Sequence, residues 1–270
     1  MDTILSKKIG LIAGDGELPV NLAKSAAKQG FEIMAVSVSP DNRRQLRAVC
    51  KTVYSCGPGE VQKIFDIFHK ESINQMIFIG KVHKGLILRP ILDARARKIL
   101  RGAKRLNDDS LMLNLIGEIE KENISILDQT IFLKEFFPAK GVLGAEPPNE
   151  KQLVDIEYGF QTAKEIGKLD LGQSVVAQDK MILAVETIEG TDKTIERGCK
   201  MGNGGATVVK VSKPGQDRRF DMPAVGLKTL KTMKKHGGKV LAIEANETFA
   251  IELEKMIAFA DRYKIVLIAV

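Results

Sequence analysis

The first half of the chain alternates short apolar runs with segments in which apolar residues recur at helical spacing. Two such segments, LPVNLAKSAAKQG and EVQKIFDIFHKES, predict helices. Strands and helices that alternate in this way predict an α/β fold, with a parallel Rossmann-like sheet and crossover helices on both faces. The apolar runs predicted as strands are KIGLIAG, FEIMAVSVS, KTVYSC and INQMIFIG.

Two turns of this half directly follow predicted strands. Gly14, Asp15 and Gly16 follow the first strand, and Lys81 opens the basic stretch KVHK after the fourth. Ligands of parallel sheets bind at the carboxyl ends of the strands, so these residues are candidate phosphate or sugar contacts. The glycine turn lacks the third glycine of the dinucleotide-binding fingerprint. The alternatives are a plain turn in which glycine supplies positive φ, and a solvated basic loop.

Residues 90–122 are predicted to be helical, in the segments PILDARARKIL and DDSLMLNLIGEIEKEN. Asp108 and Asp109 open the second segment, where they are candidates either for a helix cap or for substrate binding. The proline-containing stretch LKEFFPAKGVLGAEPPN then interrupts the pattern. It predicts a boundary between an N-terminal domain, 1–138, and a C-terminal α/β domain, 139–270.

The second half is predicted to form another α/β unit of similar size. Its first helix spans 150–170, and the runs QSVVAQ and MILAVET form a hairpin around Asp179 and Lys180. The later elements are predicted as a helix at 191–200, a strand at 207–211, a helix through His236, a strand at 239–245, a helix at 248–262 and a strand at 265–270.

An acidic turn stands where the second strand of that half gives way to a helix. It contains Glu186, Glu189, Gly190, Thr191 and Asp192. Thr191 as a helix cap and Asp192 in the first turn are a sufficient structural account of those two. They do not explain Glu186, an acid near the end of an apolar strand. Since Mg²⁺ requires oxygen ligands, the turn is a candidate site.

A second charged loop, KVSKPGQDRRFDMP, stands between a predicted strand and a predicted helix. Arg218 and Arg219 offer fork-shaped donors that match phosphate oxygens, and Asp217 and Asp221 offer carboxylates for a metal or for orienting water. The alternative is a set of exposed ion pairs, each worth under about 1 kcal/mol. Acids and arginines at one strand end favour phosphoryl chemistry.

Composition narrows the class of protein. The chain has 270 residues, of which 44% are hydrophobic and 28% charged, with a net charge of +7. The positive charge favours acidic partners such as phosphates, nucleic acid or an anionic membrane, but no nucleic-acid-binding motif is present. The three cysteines show no CxxC spacing, which argues against a disulfide framework and a structural zinc site. With no signal peptide and no apolar run of membrane-spanning length, we expect a cytoplasmic protein.

The ordered motifs resemble one known family, the UDP-2,3-diacylglucosamine pyrophosphatases of the LpxI type. The motifs that carry this resemblance are IGLIAGDGELP, GKVHKG, DDSL, SVVAQDKMILAVETIEGTD, KPGQDRRFDMPAVGLKT and GGKVLAIEANET. The resemblance implies a two-domain cytoplasmic enzyme of lipid A synthesis that gives UMP and 2,3-diacylglucosamine 1-phosphate (lipid X). It further implies attack of water on the α-phosphorus, a Mg²⁺ requirement, a product that lies between the domains, and Asp221 as the catalytic aspartate.

On this interpretation Asp221 is a metal ligand or a water-orienting base, assisted by Asp217 or Glu186. We expect the acyl chains to lie in an apolar cleft between the domains. The net charge favours peripheral contact with the inner face of the inner membrane, and a homodimer is left open. The candidate substrate-binding residues are Gly14, Asp15, Gly16, Lys81, Asp108, Asp109, Glu189, Gly190, Thr191, Asp192, Lys213, Arg218 and Arg219.

Two alternatives come from other classes of protein. A dinucleotide-binding oxidoreductase is suggested by the rhythm of the first half, and the missing glycine counts against it. A non-catalytic basic module would bind anionic lipid or nucleic acid in a salt-dependent way, but it leaves the acidic residues unexplained.

Overall fold

The computed structural model describes residues 5–82, 92–102 and 108–270, with the backbone alone described at 108 and 109. The predicted basic residues His83 and Lys84 and the side chains of Asp108 and Asp109 lie outside this description. The chain forms two compact units. Unit 1 is Met1–Leu133 together with Arg218–Phe220, and unit 2 is Lys134–Asp217 together with Asp221–Val270.

Unit 1 contains a five-stranded sheet in the order β3-β2-β1-β4-β5, with every neighbouring pair parallel. The parallel α/β architecture predicted from the alternating pattern is therefore confirmed. A fifth strand of only two residues escaped the prediction because it is too short to show a period. The strands are β1 Lys8–Ala13, β2 Glu32–Ser37, β3 Thr52–Ser55, β4 Gln75–Ile79 and β5 Ser125–Ile126.

The helices of unit 1 bury their apolar sides against a core of aliphatic and Phe side chains. In the third helix, Val61, Ile64, Phe65 and Phe68 recur at helical spacing and are all buried. The second helix is a five-residue segment that the apolar pattern did not predict. The helices are α1 Leu18–Lys28, α2 Arg43–Arg47, α3 Val61–Lys70, α4 Ala94–Gly102 and α5 Asp108–Glu120.

Unit 2 contains a six-stranded mixed sheet in the order β6-β13-β11-β9-β7-β8. Strands β9, β11 and β13 are parallel, whereas β7 is antiparallel to both β8 and β9, and β6 is antiparallel to β13. The strands of this sheet are β6 Gly141–Val142, β7 Ser174–Gln178, β8 Met181–Val185, β9 Ala206–Lys210, β11 Gly238–Ile243 and β13 Val266–Ala269.

The predicted hairpin at Asp179 and Lys180 is confirmed. Both residues have positive φ, 51° and 58°, as a two-residue type I′ turn requires. Their backbone N–H groups donate to the buried Asp155 carboxylate at 3.1 and 2.8 Å. Asp155 lies on the first helix of unit 2, which thereby holds the hairpin.

One predicted helix is partly wrong. Residues 248–262 were expected to be helical, but Phe249–Ile251 form a strand, β12, that pairs in parallel with β10, Ala224–Gly226. Short apolar runs do not distinguish strand from helix, and burial of Phe249 and Ala250 favours the paired strand here. The unit 2 helices are α6 Glu150–Lys168, α7 Thr191–Met201, α8 Leu227–His236 and α9 Leu253–Tyr263, and a 3-10 turn spans Lys134–Phe136.

The unit 2 sheet has a core on each face. Leu241 and Ile243 of β11 point into one core, and Val240 and Ala242 point into the other, as the two-residue period of a strand dictates. Burial on both faces explains why these strands read as continuous apolar runs. Among the residues described, no helix has the length and hydropathy to cross a bilayer.

Candidate functional site

In unit 1, strand order reverses between β1 and β4, and the two turns predicted from the sequence meet at this point. The Gly14 N–H donates to the Ile79 carbonyl at 2.8 Å, and Asp15 and Lys81 exchange backbone hydrogen bonds of 2.6 and 3.0 Å. A crevice at the carboxyl ends of strands where their order reverses is the usual ligand position in such sheets. The structure therefore brings Gly14, Asp15, Gly16 and Lys81 together.

Gly14 is required for this close approach. A Cβ at Gly14 would lie 2.6 Å from the Gly80 carbonyl carbon and 2.7 Å from the carbonyl oxygens of Gly80 and Lys81. Gly16 has φ +95° with open space around it, so there glycine supplies the left-handed conformation instead.

Two polar residues that the sequence analysis missed support the glycine turn. The Asn42 amide nitrogen donates to the Gly14 and Gly16 carbonyls at 2.6 and 3.3 Å, and Ser39 donates to Asp15 Oδ1 at 3.3 Å. Both Ser39 and Asn42 are buried. They follow β2, so extending the strand-end argument to the second strand would have found them.

An apolar cavity of about 330 Å³ adjoins this turn within unit 1. Its wall combines strand-end residues such as Ile12 and Val38 with side chains of α3, α4 and α5, and with Phe220. Its size is at the lower end of ligand pockets, which hold about 300–1,000 Å³. The cavity is suited to an apolar group next to a polar strand-end turn.

In unit 2, Glu186 lies at the carboxyl end of β8 and is 8% exposed. Its Oε1 accepts from the Thr191 hydroxyl at 2.7 Å, and the same hydroxyl oxygen accepts from the Lys210 ammonium at 2.9 Å. Lys210, at the end of β9, is 6% exposed. Lys210 was not predicted as a site residue, because a single lysine in an apolar run gives no sign of its burial.

The expected capping role of Thr191 is wrong. Gly190 is the residue that caps α7, with φ 82°, and no side chain caps this helix terminus. Thr191 is the first helical residue, and its hydroxyl is oriented toward Glu186. Sequence spacing alone could not distinguish these two hydrogen-bonding directions.

Two other acids of this turn form ion pairs within unit 2. Glu189 pairs with Arg197 and accepts from Thr194, and the hydrogen bond from Arg197 is the main cause that lowers the pKa of Glu189. Asp192 lies 2.6 Å from Lys228, and their hydrogen bond raises the pKa of that lysine. These pairs give Glu189 and Asp192 a structural role, and their predicted contact with substrate stays a prediction.

In the charged loop, Lys213 holds Asp221. The Lys213 ammonium lies 3.1 Å from Asp221 Oδ2 and 3.0 Å from Asp170 Oδ1. The Asp221 backbone N–H donates to the Asp217 carbonyl at 2.9 Å. Gln216 braces the loop further, since its side-chain oxygen accepts from the Lys213 backbone N–H at 2.7 Å.

The next residues of the loop, Arg218 and Arg219, contact residues of unit 1. Arg218 pairs with Asp128 at 2.9 Å, and its carbonyl accepts from the Gln129 backbone N–H at 3.0 Å. Arg219 lies 3.4 Å from Glu120. Each arginine therefore has a carboxylate partner, and a role in binding phosphate stays a prediction for both.

The carboxylates of this loop suit a Mg²⁺ ion whose other ligands would be phosphate oxygens and water. Within the described ranges, no three His, Cys, Asp or Glu side chains come together as a ready-made metal site. Mg²⁺, however, is usually held by one or two carboxylates plus substrate oxygens and water. Asp221, with 32% of its side chain exposed, meets that need.

Comparison with known proteins identifies the family. The model of the LpxI N-terminal domain matches residues 8–136, and the model of the LpxI C-terminal domain matches residues 139–268. The chain belongs to the LpxI family. A curated relative from Caulobacter vibrioides, UDP-2,3-diacylglucosamine pyrophosphatase LpxI, is 33% identical, and the match covers 94% of each chain. Membership of this family favours a hydrolase over the oxidoreductase and the basic module.

Solved structures show only distant likeness. UDP-glucose 4-epimerase from Bifidobacterium longum, in complex with NAD⁺ and UDP, is 15% identical with a TM-score of 0.29, covering 53% of this chain and 43% of its own. N5-carboxyaminoimidazole ribonucleotide synthetase from Thermotoga maritima is 18% identical with a TM-score of 0.26, covering 68% of this chain and 42% of its own. This chain thus spans less than half of either protein, and TM-scores this low carry no functional inference.

Proposed function

We propose that this chain hydrolyses the phosphoanhydride bond of UDP-2,3-diacylglucosamine in lipid A synthesis, with UMP and 2,3-diacylglucosamine 1-phosphate as products. The observation that carries the proposal is the match of both LpxI domain models, together with the relative aligned over nearly the whole chain. Peripheral contact with the inner membrane, a homodimer and the expected lack of a nucleic-acid partner stay predictions.

The reaction sets clear requirements for the protein. The scissile bond is flanked by negative charge, so hydrolysis depends on charge neutralisation and a positioned water molecule more than on a strong nucleophile. Asp221 is the residue that orients the water for attack on the α-phosphorus. The Lys213 ammonium, 3.1 Å from its carboxylate, keeps that side chain in place.

Asp221 is also the proposed ligand of Mg²⁺, with Glu186 or Asp217 assisting. A bound Mg²⁺ ion polarises a phosphoryl oxygen and neutralises charge. Arg218 and Arg219 contribute further positive charge, since a guanidinium stays protonated and matches the geometry of phosphate oxygens. At the switch point of unit 1, the Lys81 side chain brings an ammonium for a phosphate or sugar, and contact of the Gly14–Gly16 turn with the substrate stays a prediction.

The test is incubation of purified protein with UDP-2,3-diacylglucosamine in ¹⁸O-labelled water, with and without Mg²⁺, followed by mass analysis of both products. We expect turnover only with Mg²⁺, and label in UMP. Label in the lipid product would place the attack on the other phosphorus, and no turnover with any divalent metal would refute the proposed activity.

Substitution of Asp221 tests its role. Asp221→Asn should lower kcat by about 10³-fold or more, because the neutral amide neither accepts a proton nor holds a cation as a carboxylate does. Asp170→Asn is the matched control, since Asp170 is the other carboxylate on Lys213, at 3.0 Å. Equal rates for the Asp221 variant and the control would contradict the assignment.

The arginines are tested in the same assay. Replacing Arg218 or Arg219 with Gln should mainly raise KM, because the lost interaction is with ground-state phosphate charge. Unchanged KM and kcat in both variants would rule out phosphate binding by this pair.

A further inference from the structure

The cavity of unit 1 has the chemistry and size of a site for one acyl chain. Among the described residues, its wall is built almost entirely from aliphatic and Phe side chains, with Gln129 as a polar member. A cavity of about 330 Å³ is within the range of sites that hold small ligands, about 300–1,000 Å³, and is large enough for an acyl chain.

One wall residue of the cavity comes from a distant part of the chain. Phe220 lines the cavity and packs against the unit 1 core beside α3, α4 and α5. It directly precedes Asp221, the residue assigned above to orient water. Phe220, which lines the cavity, is therefore the neighbour in the chain of Asp221, which carries the proposed catalytic carboxylate.

Phe220 is held at the cavity by the two residues before it. The Arg218 side chain pairs with Asp128 at 2.9 Å and reaches the Thr130 hydroxyl at 3.3 Å, while Arg219 lies 3.4 Å from Glu120. A backbone hydrogen bond of 3.0 Å from Gln129 to the Arg218 carbonyl completes the attachment. Three consecutive residues are thus anchored in unit 1, whereas Asp217 and Asp221 on either side belong to unit 2.

We propose that one acyl chain of the substrate fills this cavity against Phe220, and that this contact places Asp221 for hydrolysis. The inference rests on the proposed function. Phe220 is a positioning residue that acts through its neighbour in the chain. An acyl chain in the cavity removes the empty space beside the phenyl ring and restricts the backbone at 220–221. Binding energy from a remote part of the substrate then raises kcat instead of only lowering KM.

The experiment compares two substrates: UDP-glucosamine acylated at both positions with lauroyl groups, and the same nucleotide sugar carrying acetyl groups. Detergent and Mg²⁺ are kept the same in both. For the unsubstituted protein, we expect kcat to be at least about tenfold higher with lauroyl groups, the rate equivalent of burying one apolar side chain. Cleavage of neither substrate would refute the proposed function itself, and equal kcat on both would refute only the acyl coupling.

Phe220→Ala then tests the role of the phenyl ring. We expect kcat on the lauroyl substrate to fall more than kcat on the acetyl substrate, so that the ratio of the two approaches one. Phe220→Leu restores much of the cavity wall and should recover part of the difference. Phe31→Leu is the matched control, because the Phe31 ring packs at a tilt against Phe132, with ring centroids 5.0 Å apart, and does not line the cavity.

The ratio of the two kcat values decides the outcome, because a general loss of folded protein lowers both equally. If Phe220→Ala and Phe220→Leu keep the full ratio of the lauroyl kcat to the acetyl kcat, even where both kcat values fall, Phe220 does not couple the cavity to Asp221. Ala96→Leu provides an independent check, since it fills the cavity from α4, leaves the loop sequence unchanged and should reduce the ratio.

Discussion

The most demanding structural prediction concerns Gly14, where two turns of unit 1 meet. In Gly14→Ala the new Cβ would lie 2.6 Å from the Gly80 carbonyl carbon, which is backbone and cannot rotate away. Overpacking of this kind costs about 1–3 kcal/mol. Separating the turns also weakens the bonds of Gly14 to Ile79 and of Asp15 to Lys81, each worth about 1 kcal/mol. We therefore expect unfolding of unit 1 to become easier by about 3 kcal/mol.

Gly16→Ala is the matched control, two residues away in the same turn. Its Cβ would enter open space, and only the left-handed backbone, φ +95°, opposes it. That conformation costs a non-glycine residue about 1–2 kcal/mol. The free energies of unfolding of the two variants should thus differ by roughly 1–2 kcal/mol. For a typical m-value of about 2 kcal/mol/M, their urea midpoints should differ by about 0.5–1 M.

The assay is pulsed thiol labelling across a urea series, with the labelled cysteines located by peptide mass spectrometry. Cys50 and Cys56 are buried in unit 1, whereas Cys199 is buried in unit 2. The label therefore follows each unit separately. Gly14→Ala should lower the midpoint of Cys50 and Cys56. A midpoint equal to that of the unsubstituted protein, or a larger loss in Gly16→Ala, would refute the steric argument.

Two further predictions follow from buried polar groups. Burial raises the pKa of Cys199 from its ordinary 9.0 to about 12. Between these values the thiol stays protonated in the folded protein, whereas it ionises in the unfolded chain. The free energy of unfolding therefore falls as the pH rises above 9, by up to about 1.4 kcal/mol per pH unit. Cys199→Ala should flatten the pH dependence of urea stability between pH 9 and 11, and an unchanged slope would contradict the assignment. Asp155→Ala leaves the two N–H groups of the β-hairpin turn without their carboxylate, so urea unfolding of unit 2 should become easier by about 2–4 kcal/mol. Asp155→Asn keeps one acceptor and should cost less, and equal stability of Asp155→Ala and the unsubstituted protein would show that the clamp contributes nothing.

Much of the fold could be predicted because its strongest signals are local. β-branched runs bounded by turn residues marked β1, β2 and β4, and Asp179-Lys180 between two such runs marked a hairpin. The sequence failed where an element was short or its partner distant. The segment 249–251 looked helical because nothing nearby in the sequence reveals that it pairs with 224–226.

The residues of the candidate site also divide into those that a local sequence pattern predicts and those that only the structure reveals. Gly14 and Lys81 were predicted because the carboxyl ends of parallel strands gather at one edge, and Glu186 was predicted because it is an acid near the end of an apolar strand. Asn42 and Lys210 were missed, since their importance comes from burial and from contacts with residues far along the chain.

By itself the amino-acid sequence determined the alternation of strands and helices, the glycine turn after β1 and the ordered motifs of the LpxI family. These depend on side-chain periodicity and backbone preference over a few residues. Tertiary structure alone decided the strand order of the two large sheets, the hydrogen bonds that orient Thr191 toward Glu186, and the attachment of Arg218, Arg219 and Phe220 to unit 1. The physical reason is that such pairings are selected by burial and hydrogen bonding between residues separated by tens of positions, which no local pattern encodes.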